Sequence, residues 1–204
     1  PDFCGGTVEI TFEATDACGQ TAECTTFFTV MAAPELTVSC PQEIEIASCT
    51  NQVEVDAAFE EWLGQFTYDG GCNTEATDLS MYSAPDFCGG TVEITFEATD
   101  ACGQTAECTS MFTVMAAPEL TVTCPMDMEI AACTDQLDVD AAFENWLGQF
   151  TYDGGCNTEA TDLSIYTAPD FCGGTVEITY EATDACGQTA ECTSMFTVMA
   201  APEL

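Results

Sequence analysis

Two residue types carry the chemistry available to this chain: cysteine and the carboxylates. Six cysteines recur with fixed spacing, at Cys40, Cys49, Cys72, Cys88, Cys102 and Cys108, and again at Cys124, Cys133, Cys156, Cys172, Cys186 and Cys192. Three more, Cys4, Cys18 and Cys24, precede them. Even numbers of cysteines at fixed spacing in a small unit read as a disulfide framework assembled in an oxidising compartment. Structural zinc instead favours Cys-x₂₋₄-Cys pairs, often with histidine. The tightest spacing here is Cys102-x₅-Cys108 and histidine is absent, so the thiols are expected to pair with one another.

The carboxylates number 36, and no lysine, arginine or histidine balances them, leaving a net charge of −36. No side-chain ion pair can form. Every acid must face water, a neutral donor or a bound cation. Phosphate backbones and anionic membranes need cationic partners, so neither nucleic acid nor membrane insertion is expected in this segment. The chain also lacks an imidazole base, a Schiff-base amine and a cationic clamp for a developing anion, so no enzymatic activity is expected. Nothing marks two of the acids as a glycosidase pair.

The cysteines sit in a repeat. Pro-Asp-Phe-Cys-Gly-Gly begins at Pro1, Pro85 and Pro169, a period of 84 residues. With the unit starting at Pro-Glu-Leu-Thr-Val, residues 1–33 are the C-terminal part of one repeat, 34–117 and 118–201 are two full repeats, and 202–204 begin the next. A chain opening in mid-unit reads as a window on a longer array. The two full copies differ at a dozen of 84 positions, mostly between Ser39 and Glu61. Near-identical tandem copies add length to a stalk or fibre and add little to an enzyme.

Within a repeat, Leu36, Val38 and Cys40 alternate with polar residues and predict a short strand; Ile44 and Ile46 predict a second. Val55, Ala58, Phe59, Trp62, Leu63 and Phe66 share one face of a helix of about three turns, with Asp56 as its expected N-cap and Gly64 near its end. Trp62 and the helix aromatics are expected in the core. Tyr68–Asn73 reads as a loop and Thr77–Tyr82 as a strand. Val92, Ile94, Phe96 and Ala98, then Ala106, Cys108, Ser110, Phe112 and Val114, alternate with Thr and Glu across the turn Asp100–Gln104. That pattern predicts a hairpin with one buried face. Several short strands per unit predict a β-sandwich. Met111 and Met115 fall on the expected outward face, a hint of side-by-side contact between identical chains.

Val-Thr-Cys-Pro at Val122–Pro125 and Thr-Tyr-Glu-Ala-Thr-Asp-Ala-Cys-Gly-Gln-Thr-Ala-Glu-Cys at Thr179–Cys192 resemble the hyalin repeat (HYR) domain. The variant is similar to HYR-like repeats of very large surface adhesins and extracellular filaments of Bacteroidota, exported by type IX secretion. The resemblance covers nearly all of each unit. It implies a mainly β chain of tandem immunoglobulin-like sandwiches, here with one short helix and three disulfides each, serving adhesion or structure. Two departures stand out. A helix replaces an early strand, and Cys88 and Cys102 have no counterpart in the general family.

The resemblance also implies pairings. It pairs Cys40 with Cys108 and Cys49 with Cys72, and in the next copy Cys124 with Cys192 and Cys133 with Cys156. Cys88 and Cys102 remain. They flank a strand of about ten residues, on the order of 30 Å long, whereas a disulfide needs Cα atoms within about 7 Å. Either the strand bends and they pair within one repeat, or they bridge successive repeats as Cys88–Cys186 and Cys4–Cys102. Both alternatives stand on the sequence.

These features define an extracellular structural repeat, the shaft of a large adhesin or filament, whose partners are neighbouring repeats and other identical chains. The alternative is a module whose acidic loops bind a ligand or calcium directly. Asp69, Asn73, Glu75 and Asp78 supply candidate oxygen ligands, with Asp86 nearby, although no EF-hand spacing is present. Tyr68–Asp78 and Tyr152–Asp162 are identical, which favours the shaft.

Overall fold

The computed structural model describes residues 1–203. The strands and helices, in chain order, are β1 (Gly6–Thr15), β2 (Thr21–Val30), β3 (Thr37–Ser39), β4 (Ile44–Ile46), α1 (Gln52–Leu63), β5 (Thr67–Asp69), β6 (Glu75–Ala76), β7 (Gly90–Thr99), β8 (Thr105–Val114), β9 (Thr121–Thr123), β10 (Met128–Ile130), α2 (Gln136–Leu147), β11 (Thr151–Asp153), β12 (Glu159–Ala160), β13 (Gly174–Thr183) and β14 (Thr189–Val198). The chain is mainly β. It divides into two compact units. One comprises residues 1–45, 52–85 and 91–113; the other comprises 46–51, 86–90 and 114–204. The loop before α1 and the Cys-Gly-Gly turn before β7 thus belong with the chain that follows them, not with the repeat that encodes them.

The second unit shows how the layers form. A four-stranded sheet runs β10-β14-β13-β12. Its centre is the hairpin β13–β14, paired in full register from Gly174↔Val198 to Thr183↔Thr189. β10 joins it in parallel and β12 antiparallel. A two-stranded sheet, β11 with β9, and the helix α2 complete the other layer. The period-2 alternation puts Ile178, Tyr180, Phe196 and Val198 on one sheet face, and α2 turns Val139, Phe143 and Trp146 onto it. Trp146 is fully buried, and its indole N–H donates to Met126 O at 3.0 Å. Its ring meets Phe150 edge-on at 5.0 Å, and Phe143 meets Phe196 edge-on at 5.1 Å. Aromatic burial of this kind supplies most of the driving force of a small core. The preceding copy repeats the pattern: Val55, Phe59, Trp62, Ile94, Phe96 and Phe112 are buried, and its strands order as β4-β8-β7-β6.

Three local expectations are corrected. α1 begins at Gln52, so Asp56 lies inside the helix; its carboxylate accepts a hydrogen bond from Gln52 Nε2 at 2.8 Å instead of capping. Thr77–Tyr82 holds no strand: Asp78 caps a 3₁₀ turn at Leu79–Met81, accepting from Ser80 N at 3.0 Å and Ser80 Oγ at 2.7 Å. A local Asp–Ser contact of this type competes with ladder pairing. Tyr68 and Asp69 lie in strand β5 paired with β3, not in a loop. The sandwich is therefore mixed, with the helix standing where a second sheet would extend. Of the two methionines expected to face outward, Met115 is exposed and Met111 is half-buried.

Candidate functional site

The chemistry concentrates at a junction built around Asp184, one of the few buried charged side chains. Asp184 opens the turn between β13 and β14. Its Oδ1 accepts from Cys186 N at 2.9 Å and Gln188 N at 2.8 Å. Its Oδ2 accepts from Cys156 N and Gln188 Nε2, each at 3.0 Å. One carboxylate therefore ties the hairpin turn to the separate Asp153-Gly-Gly-Cys156 loop. Ala185 N adds a bond to Cys156 O at 2.8 Å. Gln188 extends the clamp, donating to Pro118 O at 2.9 Å and accepting from Leu120 N at 3.1 Å. The loop needs its glycines. Gly154 and Gly155 adopt φ of 82° and 67°, and a Cβ on Gly154 would lie 1.9 Å from Glu119 O. Desolvation raises the carboxyl pKa of Asp184, but the bonds from Gln188, Cys156 and Cys186 outweigh it and hold the group below its ordinary value.

The clamp presents two sulfurs, and both are bonded. Cys156 pairs with Cys49 (Cα–Cα 5.1 Å) and Cys186 with Cys88 (5.4 Å). The first unit repeats the arrangement. Asp100 accepts from Cys102 N at 3.0 Å, Gln104 N at 2.8 Å and Cys72 N at 3.1 Å. There Cys102 pairs with Cys4 (5.3 Å), and Cys72 is free. Bridges of a second kind lie within one repeat: Cys40–Cys108 and Cys124–Cys192.

The bonding partners of Cys49 and Cys156 correct the family-derived pairing. Cys49 does not bond Cys72, and Cys133 does not bond Cys156; Cys49 and Cys156 bond each other, leaving Cys72 and Cys133 free. The reason is local. Asp100 holds Cys72 in the first unit, while residues 46–51 fold into the second. Each full repeat therefore closes one bridge of its own and bonds others of its cysteines to a neighbouring repeat. For Cys88 and Cys102, the structure has the bridges between repeats: the ten-residue strand β7 lies between them, Cys88 bonds Cys186 and Cys102 bonds Cys4.

The opposite side of each junction is built from two turns. In Asp86–Gly90, the Asp86 carboxylate accepts from Cys88 N at 2.8 Å and Ala117 N donates to Cys88 O at 3.1 Å. Gly89, at φ 124°, passes so close to Ala116 that a Cβ would fall 2.8 Å from its Cα. Cys49 itself sits at φ 63°, a left-handed conformation uncommon for a residue with a Cβ. Strain of this sort marks a position fixed by its surroundings.

The candidate calcium ligands are dispersed over separate elements. Asp69 lies on β5 and Glu75 on β6, both exposed, while Asn73 takes φ 51° in the loop between them. The Asp78 carboxylate is engaged by Ser80, whose side-chain and backbone bonds hold its pKa down. Among the described residues, no three acidic or cysteine side chains converge on a metal-sized site. The hairpin turns that Asp100 and Asp184 open were legible in the sequence as turns. Their second oxygen, which reaches Cys72 or Cys156 about thirty positions earlier in the chain, has no local sequence signal.

No family model and no curated protein matches the chain. Solved structures with a similar course include mouse clustered protocadherin gamma C3 domains EC1–3 (10% identity, 96% of this chain, 77% of that one, TM-score 0.37). Others are the I-band fragment I67–I69 of titin (10%, 95% and 75%, TM-score 0.28) and a tetra-tandem repeat from the extending region of a large adhesion protein (15%, 96% and 57%, TM-score 0.22).

Proposed function

We propose that this chain is a non-enzymatic, extracellular shaft segment of a large adhesin or filament, in which covalently coupled repeats supply length and resist tension. The carrying observation is the bridge pattern. Five disulfides require an oxidising compartment. Three of them, Cys4–Cys102, Cys49–Cys156 and Cys88–Cys186, connect one sequence repeat to the next. The shortest covalent route along the array runs from Cys102 back through β7 to Cys88, across to Cys186, then back through β13 to Cys172. Each 84-residue period is crossed by the fourteen-residue step from 88 to 102 and one bridge. Fully unfolded, 84 residues would reach about 300 Å, whereas that route reaches about 50–55 Å. β7 and β13 are already extended strands, so little slack remains in the route. The absence of lysine and arginine also leaves no trypsin-type cleavage site in an exposed fibre.

Single-molecule stretching of the full chain tests the reading. Under oxidising conditions no repeat should release more than about 60 Å of contour. With reductant present the release should rise to about 300 Å per repeat. Release of the full length without reductant would overturn the load-bearing route. The alternative, a ligand- or calcium-binding adhesion module, would be favoured by a calcium-dependent change in that force trace.

A further inference from the structure

The helix of each full repeat is flanked by a groove. In the first repeat α1 contributes Asp56, Phe59, Glu60 and Leu63 to one wall, and Tyr82 and Ala84 stand opposite, around a cavity of about 420 Å³. In the second the equivalent Asp140, Phe143, Glu144, Leu147, Tyr166 and Ala168 surround about 350 Å³. Ligand clefts run from about 300 to 1,000 Å³, so each groove has room for a few side chains of a partner. Each is lined by its own repeat alone. A complete repeat follows the first groove in the chain and a complete repeat precedes the second, so the groove is a property of the repeat and not of an end of the sequence.

The walls are fixed by the chain itself. Gln52 Nε2 donates to Asp56 Oδ1 at 2.8 Å and to Pro85 O at 3.0 Å, which fastens the segment after the 3₁₀ turn to the helix. Gln136 Nε2 does the same, to Asp140 Oδ1 at 2.7 Å and Pro169 O at 3.2 Å. The fastened segment is extended where it begins: Tyr82 has φ −92° and ψ 147°, and Tyr166 has −87° and 143°. Yet it joins no sheet. Among the described residues, the backbone N–H and C=O groups of Ser83, Ala84, Thr167 and Ala168 make no hydrogen bond. An extended stretch with unpaired backbone groups is a template for an added strand.

The charge of the groove selects the partner. Asp56 and Glu60 lie one helical turn apart, as do Asp140 and Glu144, and like charges at that spacing repel. A glutamine amide meets each aspartate, while Glu60 and Glu144 meet no donor among the described residues. The two helices differ at Val53/Leu137, Glu54/Asp138 and Glu61/Asn145, yet all four groove residues on each are the same. The chain has no lysine, arginine or histidine, so a second copy cannot neutralise these acids.

We propose that each groove binds an extended, basic segment of another protein. The segment adds as a strand along residues 82–84 or 166–168, and its side chains alternate in direction. On the face turned to the helix, lysine or arginine heads reach Asp56 and Glu60, and their aliphatic stems cover Leu63 and Tyr82. The inference adds a partner to the shaft and does not rest on the shaft reading. The force trace tests only the bridges and leaves the groove untouched.

The test is an NMR titration of the full, oxidised chain in 0.15 M NaCl with the end-blocked peptide Arg-Val-Arg-Val-Arg. Saturable shifts are expected at the amides of Ser83, Ala84, Thr167 and Ala168, with slowed hydrogen exchange there and one peptide bound per groove. Arg-Gly-Arg-Gly-Arg, equal in charge but poor in strand propensity, should bind about fivefold more weakly. Glu60→Gln should weaken binding at the first groove by about fivefold, the weight of one partly exposed ion pair. The second groove, as internal reference, should be unchanged. Glu61→Gln removes the same charge from α1 outside the groove and should change neither. Equal losses from Glu60→Gln and Glu61→Gln, equal affinity for the two peptides, or shifts spread over the acidic surface would reduce the binding to unspecific attraction by a net charge of −36 and overturn the proposal. Absence of shifts at the four amides would overturn it as well.

Discussion

The strands β1 and β7 have one sequence, Gly-Thr-Val-Glu-Ile-Thr-Phe-Glu-Ala-Thr, and two environments. In β7, Ile94 and Phe96 are 0% and 3% exposed; in β1, Ile10 and Phe12 are 53% and 66% exposed. Yet the hairpins match in register, and their threonine faces are bonded alike. Thr7 meets Thr29 at 2.9 Å and Thr11 meets Thr25 at 3.1 Å; Thr91 meets Thr113, and Thr95 meets Thr109, at 3.0 Å. The hairpin is thus encoded by its own cross-strand pairs and turn. Its burial is supplied by the helix laid over the other face. Residues 1–33 hold the hairpin of a repeat without the helix that precedes it in the full repeats, so Phe12 and Phe28 are exposed there; in the full repeats the same positions close the core.

The largest way to break this comparison is to remove the helix's anchor. Trp146→Ala deletes a fully buried ring and the donor to Met126 O. It should cost about 3–5 kcal/mol in denaturant unfolding, and it should make β13–β14 resemble β1–β2 in hydrogen exchange. A paired substitution sharpens the point. Phe96→Ala should cost about 3–4 kcal/mol, while Phe12→Ala, in the identical strand, should stay within about 0.5 kcal/mol. Equal effects would mean that the arm has a cover of its own.

Much of this was legible in the sequence. The period-2 alternation located β7 and β8 and their buried face, and the 3.6-residue period located α1 and its Trp62, because both patterns are local. The start of α1 was misplaced because Asp56 has the chemistry of a cap, and only the placement of Gln52 shows that it is already inside the helix. The pairing of Cys49 was misassigned for a different reason. Repeats of one sequence offer Cys72 and Cys156 as equivalent partners, and nothing local says which copy lies within reach. Only the folding of residues 46–51 with the following unit decides it. The junctions were half-visible: the turn role of Asp100 is local, whereas its bond to Cys72 spans 28 residues.

The clamp gives the next prediction, smaller than the loss of the core. Asp184 has a depressed pKa in the folded chain, so its contribution to stability is present above the unfolded value near 3.9 and is lost as pH falls through the lower folded value. Unfolding followed below about pH 4 should show this loss in the unaltered chain. Asp184→Asn should flatten that part of the profile and slow re-formation of Cys49–Cys156 and Cys88–Cys186 after reduction. In Asp16, the same turn residue in the exposed arm, the carboxylate accepts only from the neighbouring Cys18 N and Gln20 N. Asp16→Asn should leave re-formation of the bridges unchanged. If both variants re-form bridges at the rate of the unaltered chain, the carboxylate does not position the cysteines.

The smallest predicted effect separates the two full repeats from each other. Ser110 and Ser194 occupy the same position on β8 and β14, and each is buried. Ser194 Oγ donates to Pro125 O at 2.7 Å and to Asp127 Oδ1 at 3.3 Å, and the same carboxylate accepts from Met195 N at 2.8 Å. Ser110 Oγ has no partner among the described residues, and position 43, the equivalent of Asp127, is glutamate. The Ser110 hydroxyl bonds neither the longer acid nor the proline carbonyl that its counterpart reaches, so it is buried and unpaired. A typical buried bond contributes about 1 kcal/mol, whereas removing an unpaired polar group costs nothing and relieves its desolvation. Ser194→Ala should therefore destabilise by about 1 kcal/mol, and Ser110→Ala should be neutral or stabilising by up to about 1 kcal/mol. Glu43→Asp should reverse the sign at Ser110, so that Ser110→Ala in that background costs what Ser194→Ala costs. A double-mutant cycle between positions 43 and 110 measures this directly. A coupling near zero would show that the difference between the repeats lies elsewhere than in this acid.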